Sequence, residues 1–514
     1  MIQSQIPSLL QTFIDRYGDK EAIDFEYKTA RSKLPTNLWD TVSAFANTHG
    51  GWIVLGVVQG EDGQYIAEGV QNASDILQTF HDLVRNPQKV SFPVCGSHDA
   101  ETSRAADDGT EVVVIRIPAA SRTHRPVYIN GNPYSGTFVR RHGGDYHCTK
   151  QEVDRMMREA SEVAADATIL SRFGFSDLDL ESLARYRRRH QTLNPGSPWT
   201  GHDDPGFLRA IGGFGRDRDR GEEGITGAGV LMFGTEEALR DLRGRHLIDY
   251  REVADEGDVD RRWENRIAWG GNLYSAFELM YPRLVADQPV PFRLERGTRI
   301  GEGDAHIALR EALVNLLVHT DYAETQASLI VRSPAGYRFR NPGNSRVAEA
   351  DLLRGGSDPR NPRLVQMFRY VGLAEEAGTG IPKIIEAWRA LGYRGPAINV
   401  GTERYEFSLE LRHSHFLAED ERIWLHGLGE RFTEAERMAL VRAKRGETVD
   451  NQTLSHITGQ HPADTTKTLG GLRKQGLLIK QGAGRGVHYE LGPHASDAYG
   501  WPGLPPVKPR SEDR

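Results

Sequence analysis

Arg310-Glu311-Ala312-Leu313-Val314-Asn315-Leu316-Leu317-Val318-His319-Thr320-Asp321-Tyr322 is the stretch on which the reading of this chain turns. Its three polar residues Glu311, Asn315 and His319 recur at every fourth position. Four steps of about 100° drift only about 40° around a helix, so the three share one stripe. Leu313, Leu316 and Leu317 point elsewhere and are available to bury against a sheet. An acid, an amide and an imidazole on one stripe suit a metal-chelated polyanion. Asn315 offers a carbonyl oxygen to a hard cation, and Glu311 can polarise a water. The plainer alternative is a solvated helix face, since short motifs recur by chance.

Two turns downstream narrow the choice. Phe339-Arg340-Asn341-Pro342-Gly343 follows the alternating run Ser328-Leu329-Ile330-Val331, which predicts a strand and then a tight turn. Further on, Glu375-Glu376-Ala377-Gly378-Thr379-Gly380-Ile381-Pro382-Lys383-Ile384-Ile385 runs a Gly-Thr-Gly turn into a helix. Glycines there let the backbone approach phosphate, and a helix N-terminus supplies free N–H groups and a favourable dipole. Alone, Gly-Thr-Gly is equally an ordinary helix-opening turn. The order of acid–amide helix, Asn-Pro-Gly turn and Gly-Thr-Gly turn is far more specific.

With these residues in hand, the segment from about 200 to 412 resembles the divergent GHKL-type ATPase module of proteins often labelled RecG-like helicases. Gly224-Ile225-Thr226-Gly227-Ala228-Gly229-Val230-Leu231-Met232-Phe233-Gly234 and Asp358-Pro359-Arg360-Asn361-Pro362 belong to the same resemblance. It implies an ATP-binding α/β sandwich with ATP and Mg2+ as cofactors. By that likeness Glu311 is the general base, Asn315 the magnesium ligand, and His319 a further cofactor contact on their stripe. Asn341 and Gly343 would lie by the adenine, and Gly378, Thr379 and Gly380 around the phosphates. The larger superfamily usually has an Asp where Asn341 stands; an amide still accepts a hydrogen bond, without the charge. Nucleotide binding is therefore a firmer expectation than hydrolysis. The resemblance also implies a homodimer. A helicase motor is not expected, because such motors hold phosphate with G-x-x-x-x-G-K-[ST] and this sequence has no Gly-Lys pair.

Nearer the start, Asp24, Glu26 and Lys28 alternate with Phe25 and Tyr27, the pattern of a strand with one polar face. A helix from Leu38 to Asn47 follows, then Gly50-Gly51-Trp52-Ile53-Val54-Leu55-Gly56-Val57-Val58, an apolar run of buried-strand length. From the strand alone, the charges are simply a sheet edge facing water. Together with Glu21, Ala44-Phe45-Ala46-Asn47-Thr48 and Phe138-Val139-Arg140, however, these residues resemble the Schlafen-type AlbA-like domain over about residues 10 to 160. That resemblance implies nucleic-acid contact, with Lys28, Arg140 and Arg141 as the basic residues. In nuclease members, Glu21, Glu26 and a third carboxylate would hold divalent metal. Val58 and Gln59 stand where the third acid is expected, with Glu61 and Asp62 further on.

The last third predicts a helix Asn451 to Gly459, a second helix opened by Asp464, and a hairpin of Leu477-Leu478-Ile479-Lys480 with Val487-His488-Tyr489-Glu490-Leu491. Helix, turn, helix and β-hairpin is the winged helix-turn-helix plan. Its bases Lys467, Arg473, Lys474, Lys480 and Arg485 outnumber the acids Asp464 and Glu490, in a chain of net charge −7. Locally positive surface is what phosphate contact requires. The alternative is a winged-helix module for protein contacts.

The frame is ordinary: 514 residues, 38% hydrophobic and 26% charged. Overall acidity argues against a coating-type nucleic-acid binder and for local basic patches. Cys95 and Cys148 are too few for a disulfide scaffold or a zinc site. No signal peptide or bilayer-length apolar segment is visible, so a cytoplasmic protein without membrane contact is expected. Residues 97–109, 193–205 and 212–224 are expected as loops, and 492–514, with five prolines, as a disordered tail.

The expected fold is multidomain α/β and α+β. It comprises an AlbA-like domain (1–165), a connecting α/β region (166–295), a GHKL-like ATP-binding domain (296–415), a winged helix-turn-helix (416–492) and a tail (493–514). The expected function is an ATP-binding, nucleic-acid-binding regulator of transcriptional type whose nucleotide state controls binding to DNA or RNA. Two alternatives stand beside it: a Schlafen-like ATP-regulated endonuclease, in antiviral defence, and an ATP-gated protein scaffold.

Overall fold

The computed structural model describes residues 23–59, 65–104, 110–254, 263–288, 293–295, 298–300, 302–375, 378–401, 405–413, 419–428, 432–458, 461–482 and 487–496. The chain divides into two compact units. One comprises residues 1–176, 196–232 and 359–367, the other 177–195, 233–358 and 368–514. The expected connecting region 166–295 is thus shared between them.

In the first unit, the apolar run after Gly50 lacks alternation because the sheet it joins is covered on both faces. Strands β1 (Phe25–Lys28), β2 (Gly51–Leu55), β3 (Val57–Gln59), β4 (Tyr65–Ala67), β5 (Ala100–Arg104) and β6 (Glu111–Ile117) form a sheet of order β1-β2-β6-β5 and a hairpin β3–β4. Only β1–β2 is a parallel pair in that sheet. Ile53, Leu55, Val113, Ile115 and Ile117 pack with Phe45 and Phe80 of helices α1 (Leu38–Asn47) and α2 (Ala73–Val84). On the other face, Val54, Val112 and Val114 meet Phe25, Tyr27 and Val57, with Tyr65 of the hairpin against them. The predicted strand through Val58 breaks at Gly56, whose φ is +96°.

Two expected loops hold strands. Residues 97–109 contain β5, an edge strand whose polar side chains mostly face out. Residues 212–224 contain most of a second hairpin, described below with its pairing. Before it come β7 (Phe138–Arg141) and β8 (Gly144–His147), which pair antiparallel, and helix α3 (Lys150–Ala160), opened by a Thr149–Glu152 capping box. Strands β9 (Phe214–Arg216) and β10 (Glu223–Ile225) then pair antiparallel.

In the second unit, β11 (Ile248–Glu252), β12 (Asn265–Trp269), β15 (Ser328–Ser333), β16 (Gly336–Pro342), β17 (Ala397–Asn399) and β18 (Glu406–Arg412) form one sheet, and β13 (Arg293–Glu295) pairs with β14 (Thr298–Ile300). The large sheet has the order β12-β11-β15-β16-β18-β17 and one parallel pair, β11–β15. Helices α4 (Leu273–Val285), α5 (Asp304–His319) and α6 (Gly380–Ala390) accompany it; α5 packs on both α4 and α6 and touches β16. Trp388 of α6 is fully buried and donates its indole N–H to Arg412 O at 3.0 Å.

The C-terminal segment carries α7 (Glu434–Lys444), α8 (Asn451–Thr458), α9 (Pro462–Lys474), β19 (Leu478–Gln481) and β20 (His488–Leu491), with β19 and β20 antiparallel. Met438, Leu440, Leu454, Leu469, Leu472 and Leu478 share one core. The expected tail begins instead with a helical turn, Pro493–Ser496, in which Ala495 is buried and accepts the Trp424 indole N–H at 3.0 Å. Among the described residues no helix is long and apolar enough to cross a membrane.

Asp166 ties distant parts of the first unit together. Its buried carboxylate accepts Leu364 N–H at 3.0 Å, at the start of the helix Pro362–Tyr370. Burial pushes the carboxyl up to about 6, although the backbone N–H groups of Leu364 and Arg363 hold it down. An acid raised on folding favours the folded state below its unfolded value of 3.8 and loses that contribution as pH rises through about 6. Between about pH 4 and 7 this group should therefore cost the fold on the order of 3 kcal/mol. Asp166→Asn keeps an acceptor without the charge and should flatten that part of the stability–pH curve, read by urea unfolding at several pH values.

Candidate nucleotide and nucleic-acid sites

Helix α5 brings the polar stripe to the seam with α6. Glu311 is 3% exposed, while Asn315 and His319 are half-buried. Glu311 Oε1 makes no hydrogen bond among the described residues, with the Arg310 guanidinium 3.9 Å away. Burial raises the Glu311 carboxyl above the ordinary range, while the charges of Arg310 and Lys383 pull it back. A carboxyl raised in this way is a stronger proton acceptor than an ordinary one.

Gly380 opens α6 directly against this face. A Cβ at that position would lie 2.8 Å from Asn315 Nδ2, 3.1 Å from Asn315 Oδ1 and 3.3 Å from Glu311 Oε2. The Gly-Thr-Gly turn and the acid–amide stripe, remote in sequence, are thus brought side by side. Gly378, at φ +92°, is pressed onto a second glycine: its Cβ would fall 1.9 Å from Gly355 O. Any other residue there would both strain the backbone and push the two loops apart. Thr379 precedes α6 and gives it no side-chain cap; Gly380 and Ile381 carry N–H groups in its first turn, and Pro382 has none.

Asn341, next to last in β16, is buried and donates to Pro342 O at 3.2 Å, and Gly343 follows the strand at φ +98°. Asp321, a residue the sequence reading passed over, fixes this turn. Its N–H donates to Pro342 O at 2.9 Å, and its carboxylate accepts Tyr405 O–H at 3.0 Å. The unpartnered Glu311 oxygen beside the Asn315 amide is the feature of this face that fits a phosphate–metal group, with Asn315 as the oxygen donor.

The amino-terminal constellation is different from its expectation. Glu26 does not face water: it is 7% exposed, paired with Lys28 Nζ at 2.7 Å and Arg140 Nη2 at 2.5 Å. Arg140, expected as a phosphate contact, is 3% exposed and also donates to Asp145 at 2.9 Å and to Phe25 O at 3.2 Å. Asp145 in turn accepts Thr41 O–H at 2.6 Å, and the guanidinium lies over the Phe45 ring. Arg140 is therefore the centre of a buried charge network, which corrects its reading as a surface contact. Asp40 stands nearby, its carboxyl raised by burial and by Asp145. Arg141 is exposed and pairs with Glu152. Glu21, and with it half of the predicted acid pair, lies outside the described residues.

Of the C-terminal bases, Lys467, Arg473, Lys474 and Lys480 are exposed, and Lys467 pairs with Asp464 at 3.0 Å. Lys467 and Lys474 stand seven residues apart on one face of α9. Arg485 lies outside the described residues.

Removing Arg140 would leave Glu26 and Asp145 without their shared cation. Arg140→Ala is expected to cost about 3–5 kcal/mol, as for other broken buried pairs, measured by chemical unfolding of the whole chain.

Three family models match the chain. "Schlafen, AlbA_2" covers residues 21–149, "Domain of unknown function (DUF8451)" 154–249, and "Putative ATP-dependent DNA helicase recG C-terminal" 338–411. The last spans Asn341, Gly343, Gly378, Thr379 and Gly380 but starts after Glu311, Asn315 and His319. No curated protein matches significantly. A crystal structure of the DIP2311 protein from Corynebacterium diphtheriae aligns over 92% of this chain and 95% of that one, at 16% identity and a TM-score of 0.40. The chain carries a Schlafen AlbA_2 domain and, further along, a domain of the RecG C-terminal ATPase-like type.

Proposed function

We propose that this protein binds ATP with magnesium on the α5–α6 face and binds nucleic acid, and that nucleotide state controls the second activity. The observation that carries the reading is the approach of Gly380, at the start of α6, to Asn315 and the buried Glu311 with its unpartnered oxygen. Asn315 would hold the magnesium. Gly378, Thr379 and Gly380 would border the phosphates, Asn341 and Gly343 the adenine, and His319 the edge of the same stripe. Bound magnesium would supply charge neutralisation at the phosphates. Glu311 would orient a water and take its proton, a role its burial and free oxygen suit.

Helices α7, α8 and α9 followed by the β19–β20 hairpin support a winged helix-turn-helix reading, with α9 presented to the major groove. Arg473, Lys474 and Lys480 would meet phosphate there, and Arg141 at the AlbA-like domain, where Lys28, its side chain 11% exposed, is held by Glu26 instead. A homodimer and a role in transcription belong to the same proposal. Cleavage is the less favoured reading, because Glu26 is already neutralised by two cations and a metal would have to displace them.

Asn315→Ala is expected to weaken magnesium-dependent ATP binding at least about tenfold, the scale of a lost charge-assisted contact. Wild-type affinity by calorimetry would remove Asn315 from the metal. Glu311→Ala should instead retain binding and lose hydrolysis, since a base acts on the attacking water.

Charge reversal of Arg473 and Lys474 to Glu should weaken duplex DNA binding and lower its log–log salt slope by about one to two, with folding intact. An unchanged gel shift across a salt titration would hand this segment to protein contacts.

A further inference from the structure

Lys383 is one turn into α6 from Gly380, and its backbone N–H donates to Thr379 O at 3.1 Å. Its ammonium forms an ion pair with Glu375, just before the Gly-Thr-Gly turn. The pair is partly open to solvent, at 31% and 48% side-chain exposure, so it is weak and readily exchanged. The same ammonium is close enough to Glu311 to be felt by its carboxyl. Lys383 therefore stands between an acid that holds it back and the face where the phosphates would lie. The site itself does not rest on a helix N-terminus alone. Glu311, 3% exposed and with an unbonded oxygen, is aimed at the same turn.

We propose that Lys383 is the residue that reads the terminal phosphate of a bound nucleoside triphosphate, with Glu375 as its internal competitor. This rests on the nucleotide reading above and adds discrimination between tri- and diphosphate. A terminal phosphate carries more charge than the single carboxylate it replaces, and a charge-assisted bond to it outweighs a surface ion pair. A diphosphate offers no group at that position, and Lys383 stays on Glu375. The exchange releases Glu375 from Lys383, so that the ion pair exists only in the diphosphate or empty state.

The test is calorimetric titration of the full chain with ATP, its β,γ-imido analogue and ADP, each with magnesium, on wild type, Lys383→Met, Lys383→Arg and Glu375→Gln. Wild type should prefer the triphosphates. Lys383→Met should weaken them about tenfold or more while leaving ADP within about twofold, and Lys383→Arg should restore most of the preference. Glu375→Gln should tighten triphosphate binding, because the competitor is gone. Equal losses for ATP and ADP in Lys383→Met, or weaker ATP binding in Glu375→Gln, would overturn the assignment while nucleotide binding stands. A wild-type chain that binds no nucleotide would overturn the nucleotide reading and this one with it. Thermal melts of each variant separate misfolding from lost contacts, and Lys383→Arg keeps the test decisive where Lys383→Met does not fold.

Discussion

The close approach of α6 to α5 at Gly380 is the constraint on which the second unit's chemistry depends. A hydrogen fits there and a methyl does not, with Asn315 and Glu311 both within 3.3 Å of where it would sit. That approach turns two unrelated sequence signals into one surface: a buried acid, a half-buried amide and the open end of a helix. It also explains why the acid can remain buried without a hydrogen bond to one of its oxygens. Its nearest cations, Arg310 and Lys383, act on it through charge without filling its lone pairs. An uncompensated acceptor of this kind destabilises a fold unless something else uses it.

The first unit follows the opposite logic. Arg140 is paired on two sides, with Glu26 on β1 and Asp145 on β8, and Thr41 and Phe45 of α1 close the shell. One guanidinium joins strand edge, helix and hairpin, as a planar fork of donors can and an ammonium cannot. Lys28 completes the neutralisation of Glu26 from the same strand. The constellation that marks this domain in sequence is therefore, in the fold, largely a means of holding β1 at the edge of its sheet. Exposed bases stand elsewhere: Arg141, paired with Glu152, and, in the other unit, Arg473, Lys474 and Lys480.

Much of this was legible in the sequence where periodicity and local chemistry agree. Helix α1 begins and ends at the predicted residues, and α5 carries its polar residues on the predicted stripe. The Gly-Thr-Gly turn opens a helix as its glycines and following apolar residues suggest. Other features left little local trace. The partner of Glu26 is 114 residues away, and no spacing rule connects a strand acid to a hairpin arginine at that distance. Strand β5 and the β9–β10 hairpin are polar, exposed edges, so alternation gave no signal for them. The helical turn at Pro493–Ser496 hides among prolines and is held by Trp424 rather than by its own propensity. Lys383 was in view throughout. Its meaning depends on Glu375, and an ion pair across a turn is a property of the folded backbone.

The parallel pairing of β11 with β15 has a consequence for how the molecule is made. Glu252 and Arg332, on neighbouring strands, are 80 residues apart, and the chain between them holds both α4 and α5. Such a crossover must pay its loop entropy before the strand pair rewards it, so pairing of this kind is slow. The helix bearing Glu311 and Asn315 is then seated with the sheet and not before it. During synthesis the α5–α6 face would form only after β15 has emerged and α6 has arrived to close the seam. A chain interrupted between those two points would have its amino-terminal sheet and no α5–α6 seam.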